Sequence, residues 1–402
     1  MEERIKNALH LDEVNHLELA EALLFIFGGS SGTEKGYIYQ KDTNTLEVKF
    51  NEVGNLIENV ILSDNFPDEK VQEIEQAVVE KLIDNQEEKY AQGICFTAGP
   101  VAGFFRYKDL FQFLPVPDSA PKPPDMTSPQ PFILQYKYSS SSDGMISAFR
   151  RGKEFSKWVR LLNVFLNRPI FLQDNTSTLR TWVMVPSNNH RSECLQNGYN
   201  YDGFSGLVAS FSSFDTPVEA IAPEHYYDAR GVDGSDLKVP NNLEQLFDKA
   251  LSLRAKEWKK FYRASTWYAQ SRDIWGNSRS SSFVALVSAL ESLEKEPRMC
   301  RGGHPLSDGA DCGFCGQPKL DITLHFKELL DTYFPELQQY PEERNLIYRV
   351  RSELAHGSTM LLADDSVWGG GMMNVKKWAE DSRHRNLFQI TKIVILRWLE
   401  SQ

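Results

Sequence analysis

Apolar positions change their period several times along this chain, and the changes divide it. Between Leu17 and Phe27 hydrophobic residues crowd into one stretch that reads as a short buried helix. Residues 37–63 alternate in places and carry Tyr, Val, Ile and Thr, which suit a half-buried strand. Helical spacing returns over 69–90, with Glu, Lys, Val and Leu, and Gly93 to Leu114 reads as strands again. Pro115, Pro117, Pro121, Pro123, Pro124, Pro129 and Pro131 exclude regular structure and mark a linker or a long ordered loop. Strand-like segments follow at 132–138, 167–173, 179–185 and 205–212, with a helical pattern near 150–164. Ser139 to Gly144 reads as a turn or a flexible tip.

From Asn241 the texture is that of long helices. Pro240-Asn241-Asn242 makes a helix start. Leu243, Leu246, Phe247, Ala250, Leu253 and Arg254 fall at helical spacing, and Trp258 and Tyr262 extend that face. Ser280 to Glu296 is a second helix, striped by Phe283, Leu286, Val287, Leu290 and Leu293. Further helices are expected at about 321–334, 342–356 and 375–400. The fold class is therefore α+β and multidomain. An acidic α+β domain spans 1–114, a proline-rich linker or loop 115–131, and a strand-rich region 132–240 that stands alone or joins the first domain. A helical domain at 241–402 carries a Gly- and Cys-rich insert at 300–317.

Composition narrows the class. The 402 residues are 41% hydrophobic and 25% charged, which fits a globular chain and not a disordered one. No apolar run is long enough to span a bilayer, and Met1-Glu2-Glu3-Arg4 leads into an acidic, broken pattern unlike a signal peptide. With five cysteines, three of them clustered, this reads as a cytoplasmic protein without a disulfide framework. The net charge of −11 is uneven: residues 241–402 sum to about +1 and the first 240 to about −12. An acidic surface repels phosphate backbones, so any contact with nucleic acid is expected in the carboxy-terminal part, through local groups.

Two features look functional and are discounted. Phe27-Gly28-Gly29-Ser30-Ser31-Gly32-Thr33-Glu34-Lys35 lacks the closing Gly-Lys-Ser/Thr of a phosphate loop and reads as a turn between helix and strand. Trp258, Tyr262, Trp267, Tyr268 and Trp275 could stack bases, but at helical spacing they are expected in a core or dimer interface. Cys95 and Cys194 sit alone and read as structural. The insert is more specific. Cys312-Gly313-Phe314-Cys315-Gly316 is a knuckle that can aim two sulfurs at one tetrahedral ion. Cys300 and His304 would complete a closed, structural zinc site, against the alternative of a polar loop with reduced thiols.

The most informative stretch runs from Arg344 to Gly357. Ile347, Val350 and Leu354 form an apolar edge, and Arg351 and His356 lie about 140° apart around the helix. They flank a face whose middle holds Tyr348, Ser352 and Ala355, with Gly357 as terminator. An imidazole can move a proton, a guanidinium can hold a phosphate, and RNA brings its own 2′-hydroxyl nucleophile, so no catalytic metal is needed. Spacing alone favours a capping His and a solvated Arg.

Arg351-Ser352-Glu353-Leu354-Ala355-His356-Gly357 resembles the R-x4–6-H motif of HEPN domains, and most of all their Apea-like branch. Phe283-Val284-Ala285-Leu286-Val287-Ser288-Ala289-Leu290-Glu291-Ser292-Leu293 is similar to that branch's A-L-E-x-L helix. The Cys-Gly insert and the lead-in Ile347-Tyr348-Arg351-Ser352 also match, so the resemblance covers residues 241–402. It implies a helical bundle that pairs into a homodimer, a shared cleft that cleaves RNA, and Arg351 and His356 as catalytic residues supported by Tyr348 and Ser352. Many family ribonucleases place Asn, Asp or His after the motif arginine, where this chain has Ser352. Members of the branch occur in anti-phage and abortive-infection systems. The expectation is an endoribonuclease effector with an amino-terminal region that meets a protein trigger or partner and no membrane. The alternative is a non-catalytic dimerisation or RNA-binding module.

Overall fold

The computed structural model describes residues 2–41, 43–51, 56–63, 66–84, 86–121, 123, 129–172, 183–185, 193–195, 204–228, 236–293, 312, 322–365 and 375–402. It is a mixed α+β protein, strand-rich toward the amino terminus and helical toward the carboxy terminus. The first elements are α1 (Glu2–Ala8), α2 (His16–Phe27), β1 (Ser30–Thr33), β2 (Gly36–Lys41), β3 (Asn44–Phe50), β4 (Ile57–Leu62) and α3 (Asp68–Val78). Then come β5 (Glu88–Thr97), β6 (Phe105–Tyr107), β7 (Phe111–Pro115), β8 (Gln130–Ser139), α4 (Gly144–Phe165) and β9 (Ile170–Leu172). The short elements β10 (Val183–Val185), β11 (Glu193–Leu195), β12 (Leu207–Val208), β13 (Ala220–Ile221), α5 (Pro223–Asp228) and β14 (Val239–Pro240) follow. Helices α6 (Leu243–Leu251), α7 (Ala255–Ile274), α8 (Arg279–Glu291), α9 (Ile322–Tyr333), α10 (Pro341–Ala355), α11 (Leu362–Asp365) and α12 (Val375–Glu400) complete the chain. Among the described residues no helix is long and apolar enough to cross a membrane.

Contacts divide the chain into two compact units. The first comprises residues 1–92, 135–156 and 205–212. Its sheet is an antiparallel meander in the order β1-β2-β3-β4. Tyr39, Leu46, Val48 and Val60 point from one face into a core with Leu9 and with Ile5, Leu19, Leu23, Val71, Ile74 and Val78 from the three helices. Gly36 is required here, because a Cβ on it would lie 1.8 Å from the Val48 carbonyl oxygen. The Gly- and Ser-rich segment after α2, expected as a turn, turns only at its ends: Gly28 adopts φ +78° with its N–H bonded to Leu24 O, and Ser30–Thr33 form the edge strand β1.

In this unit one expectation fails and another is decided between its alternatives. The helical pattern over 69–90 ends early: a single π turn follows α3 at 79–83, and β5 begins at Glu88. Strand pairing overrides the helix-favouring Glu and Lys there, with Tyr90 and Ala91 opposite Val208 and Leu207. Ser139–Gly144 is not a loose tip. Ser140 and Ser141 are buried and donate to Glu87 O and Lys81 O, while Asp143 caps α4 by accepting from Met145 N at 2.9 Å.

The second unit comprises residues 93–134, 157–204 and 213–402. It holds the expected helices together with strands that precede them. Phe247 of α6 is fully buried and meets Tyr107, Phe111 and Phe165 at ring distances of 5.0, 4.9 and 4.9 Å. The strands and the first carboxy-terminal helix thus share one aromatic core. Residues 243–264 are two helices and not one. Ser252 turns its hydroxyl onto Lys249 O, and Arg254 is extended at φ −61°, ψ 155°, before α7 starts. In the proline-rich stretch, Pro115 ends β7, Ala120 is buried, and Pro131 lies in β8.

Candidate functional site

Helix α10 carries the Arg-His motif, and its ends are set locally. Pro341 occupies the first turn with Glu342 and Glu343, where a missing N–H costs nothing and carboxylates meet the positive helix end. At the other end Gly357 has φ +68°. Its N–H bonds to Leu354 O at 3.1 Å and the Ser358 N–H bonds to Glu353 O at 3.0 Å, a Schellman closure that satisfies the last carbonyls. His356 is the residue between helix and glycine.

Of this helix only Ile347 is fully buried; Leu346, Val350 and Leu354 are half-exposed. Arg344 pairs with Asp331 of α9, and Glu343 with Arg383 of α12 at 3.6 Å. Tyr348 packs its ring 5.3 Å from that of Phe326. It therefore serves the α9 contact rather than standing open on the motif face. Ser352 is half-buried, and its carbonyl accepts from the His356 N–H at 3.0 Å.

The two motif side chains differ in setting. Arg351 is three-quarters buried and donates from Nη2 to Glu291 Oε2 of α8 at 3.0 Å. Arg351 Nε and Glu291 Oε1 are both buried without a hydrogen-bond partner among the described residues. Burial pushes the Glu291 carboxyl above its ordinary range, and the Arg351 charge and hydrogen bond only partly offset this. His356 is exposed, and its ring makes no hydrogen bond among the described residues. One helix end thus offers a positioned guanidinium and an exposed imidazole.

The sequence left Glu291 without a chemical role, although it ends the A-L-E-x-L helix. It also passed over Asp364. That carboxylate accepts from Arg279 N at 2.8 Å, Ser280 N at 2.7 Å and Ser278 Oγ at 3.0 Å, and so caps α8 from α11. Burial opposes ionisation of Asp364, but these hydrogen bonds outweigh it and lower its pKa. Deeper in the bundle His384 is 1% exposed, ringed by Trp275, Phe283 and Phe388. Ser282 gives its proton to Ser271 O, so His384 Nε2 donates to Ser282 Oγ at 3.1 Å. Burial first, then the Arg279 charge, depresses its pKa to about 3. It is a neutral core histidine.

Of the expected zinc ligands, Cys300, His304 and Cys315 lie outside the described residues; Cys312 is buried. Among the described residues no cluster of three or more His, Cys, Asp or Glu side chains is placed to hold a metal ion. Compared with protein-family models, with curated proteins and with solved structures, the chain matches none.

Proposed function

We propose that the helical carboxy-terminal region is a HEPN-type endoribonuclease that cleaves RNA without a catalytic metal. The observation that carries this reading is the end of α10, where Arg351 is held by Glu291 and His356 stands exposed at the cap. His356 would move the proton between the 2′-hydroxyl and the leaving oxygen, and Arg351 would hold the phosphate as negative charge grows. A second copy would cover the half-exposed Leu346, Val350 and Leu354 and bring a second motif to the same cleft. Cys300, His304, Cys312 and Cys315 would hold one structural zinc, which metal analysis of protein purified without chelator tests. The acidic amino-terminal region would receive the trigger of a cytoplasmic defence effector.

The Glu291 carboxylate favours a second reading. It occupies the guanidinium that a phosphate would need, as a purely structural tie does, and the domain would then be a non-catalytic dimerisation or RNA-binding module. Incubation of the full chain with total RNA, with and without EDTA, decides between them. Cleavage that survives EDTA, yields 2′,3′-cyclic phosphate ends and falls on the order of a hundredfold or more in His356→Ala supports the ribonuclease. Equal cleavage by His356→Ala and wild type, or no cleavage with or without EDTA, supports the module.

A further inference from the structure

Helix α7 has one face in the core and one that is unlike the rest of this acidic chain. Phe261, Ala264, Ser265, Tyr268, Ala269 and Ser271 are buried. At about 100° per residue, Tyr262, Lys259, Arg263, Lys256, Trp267 and Lys260 fall on the opposite arc. From Trp258 to Arg272 the helix contains no Asp or Glu, although the whole chain has a net charge of −11. Glu257, just before, is turned inward and paired with Arg254 at 2.7 Å.

Tyr262, at the edge of this arc, is stacked between Trp258 and a cation. The Trp258 and Tyr262 rings lie 5.5 Å apart at 18°. Arg160 donates from Nη1 to the Tyr262 hydroxyl at 2.6 Å, with its guanidinium carbon 5.3 Å from that ring. Lys259 and Arg263 are exposed and make no ion pair among the described residues. Trp267, one turn beyond Arg263, is 39% exposed. Of the cluster expected in a core or dimer interface, Tyr268 is in the core and Trp267 is not.

We propose that this strip docks a single-stranded nucleic acid, with Lys259 and Arg263 on successive phosphates and Trp267 under an unpaired base. A second copy of the chain fits the strip poorly, because a twofold contact here would set like charges against each other. A lipid surface fits poorly too, because the apolar side of α7 is already spent in the core. The choice of RNA as the strand rests on the ribonuclease reading; the strip rests on its own charge and rings.

The test is fluorescence anisotropy of the full chain with a labelled oligouridylate and the same strand in a duplex, over a range of salt. The single strand should bind tighter than the duplex. Lys259→Gln with Arg263→Gln should weaken binding at least about tenfold and reduce the salt slope by about 1.4, or 0.7 per lost phosphate contact. Trp267→Ala should weaken binding about tenfold with the slope unchanged. Wild-type affinity in both variants, no binding of the single strand, or a double variant that changes only the mass in light scattering, overturns the proposal. Binding that needs the strip without cleavage under any condition leaves the strip standing and sinks the ribonuclease alone.

Discussion

The Arg351 guanidinium lies 3.0 Å from the Glu291 carboxylate, tying α10 to α8 between residues sixty positions apart. The two are the motif's arginine and the last residue of the other helix on which the resemblance rests. Among the described residues each leaves one buried polar atom without a partner, so the pair holds the helices together at some cost to itself.

Removing one member should show that cost. Glu291→Ala strands the three-quarters-buried guanidinium and is expected to lower unfolding free energy by about 1–3 kcal/mol. The carboxyl titrates above its unfolded value near 4.5, so the fold binds a proton more readily than the unfolded chain. That contribution to stability is complete below pH 4.5 and is lost as pH rises through the folded value. Urea titrations across mildly acidic pH should show this slope in wild type and its absence in Glu291→Gln.

Asp364 should behave in the opposite sense. Its folded pKa is depressed, so its contribution is present above the ordinary carboxyl value of 3.8 and fades as pH falls through the folded one. Asp364→Ala removes the α8 cap and is expected to cost about 1–2 kcal/mol at neutral pH. Asp364→Asn, which keeps one acceptor, should cost less. Unchanged urea midpoints in both variants would show that the cap contributes nothing.

What the sequence revealed was local, and what it hid was distant. The limits of α10 were legible within a residue, because Pro341 and Gly357 act on their own backbone. The α6–α7 break was hidden, because Leu253 and Arg254 continue the helical spacing through it. Only the first half of strand β5 was hidden, behind Glu and Lys, since Tyr90 and Ala91 pair with residues 207–208 more than a hundred positions away, whereas its second half falls in the strands expected from Gly93. Arg351 and His356 were legible as a motif. Glu291 on Arg351 and Asp364 on α8 were not, because each is a single carboxylate whose partners arrive only with the fold.

Gly357 offers a test of how far the cap sets the site. An alanine at φ +68° meets its own Cβ strain, and Gly357→Ala should cost about 1 kcal/mol. The strain falls on the residue that follows His356. If His356 acts on RNA, the turnover of this variant should drop more than its stability does, read at a temperature where both proteins are folded. Full turnover in a destabilised variant would mean that the cap serves the helix alone.

The first unit carries its own buried ion pair. Arg150 of α4 donates from Nε to Glu18 Oε2 of α2 at 2.9 Å and from Nη2 at 2.8 Å, and adds bonds to Ser140 O and Leu82 O. The side chains are 12% and 7% exposed, so water cannot replace a lost partner. Glu18→Ala should then leave a buried guanidinium and cost about 3–5 kcal/mol. Arg150→Met should cost a similar amount by leaving the carboxylate. The double variant removes both charges together, and its loss should fall well short of the sum. Additive losses in urea unfolding would mean that Glu18 and Arg150 do not stabilise one another.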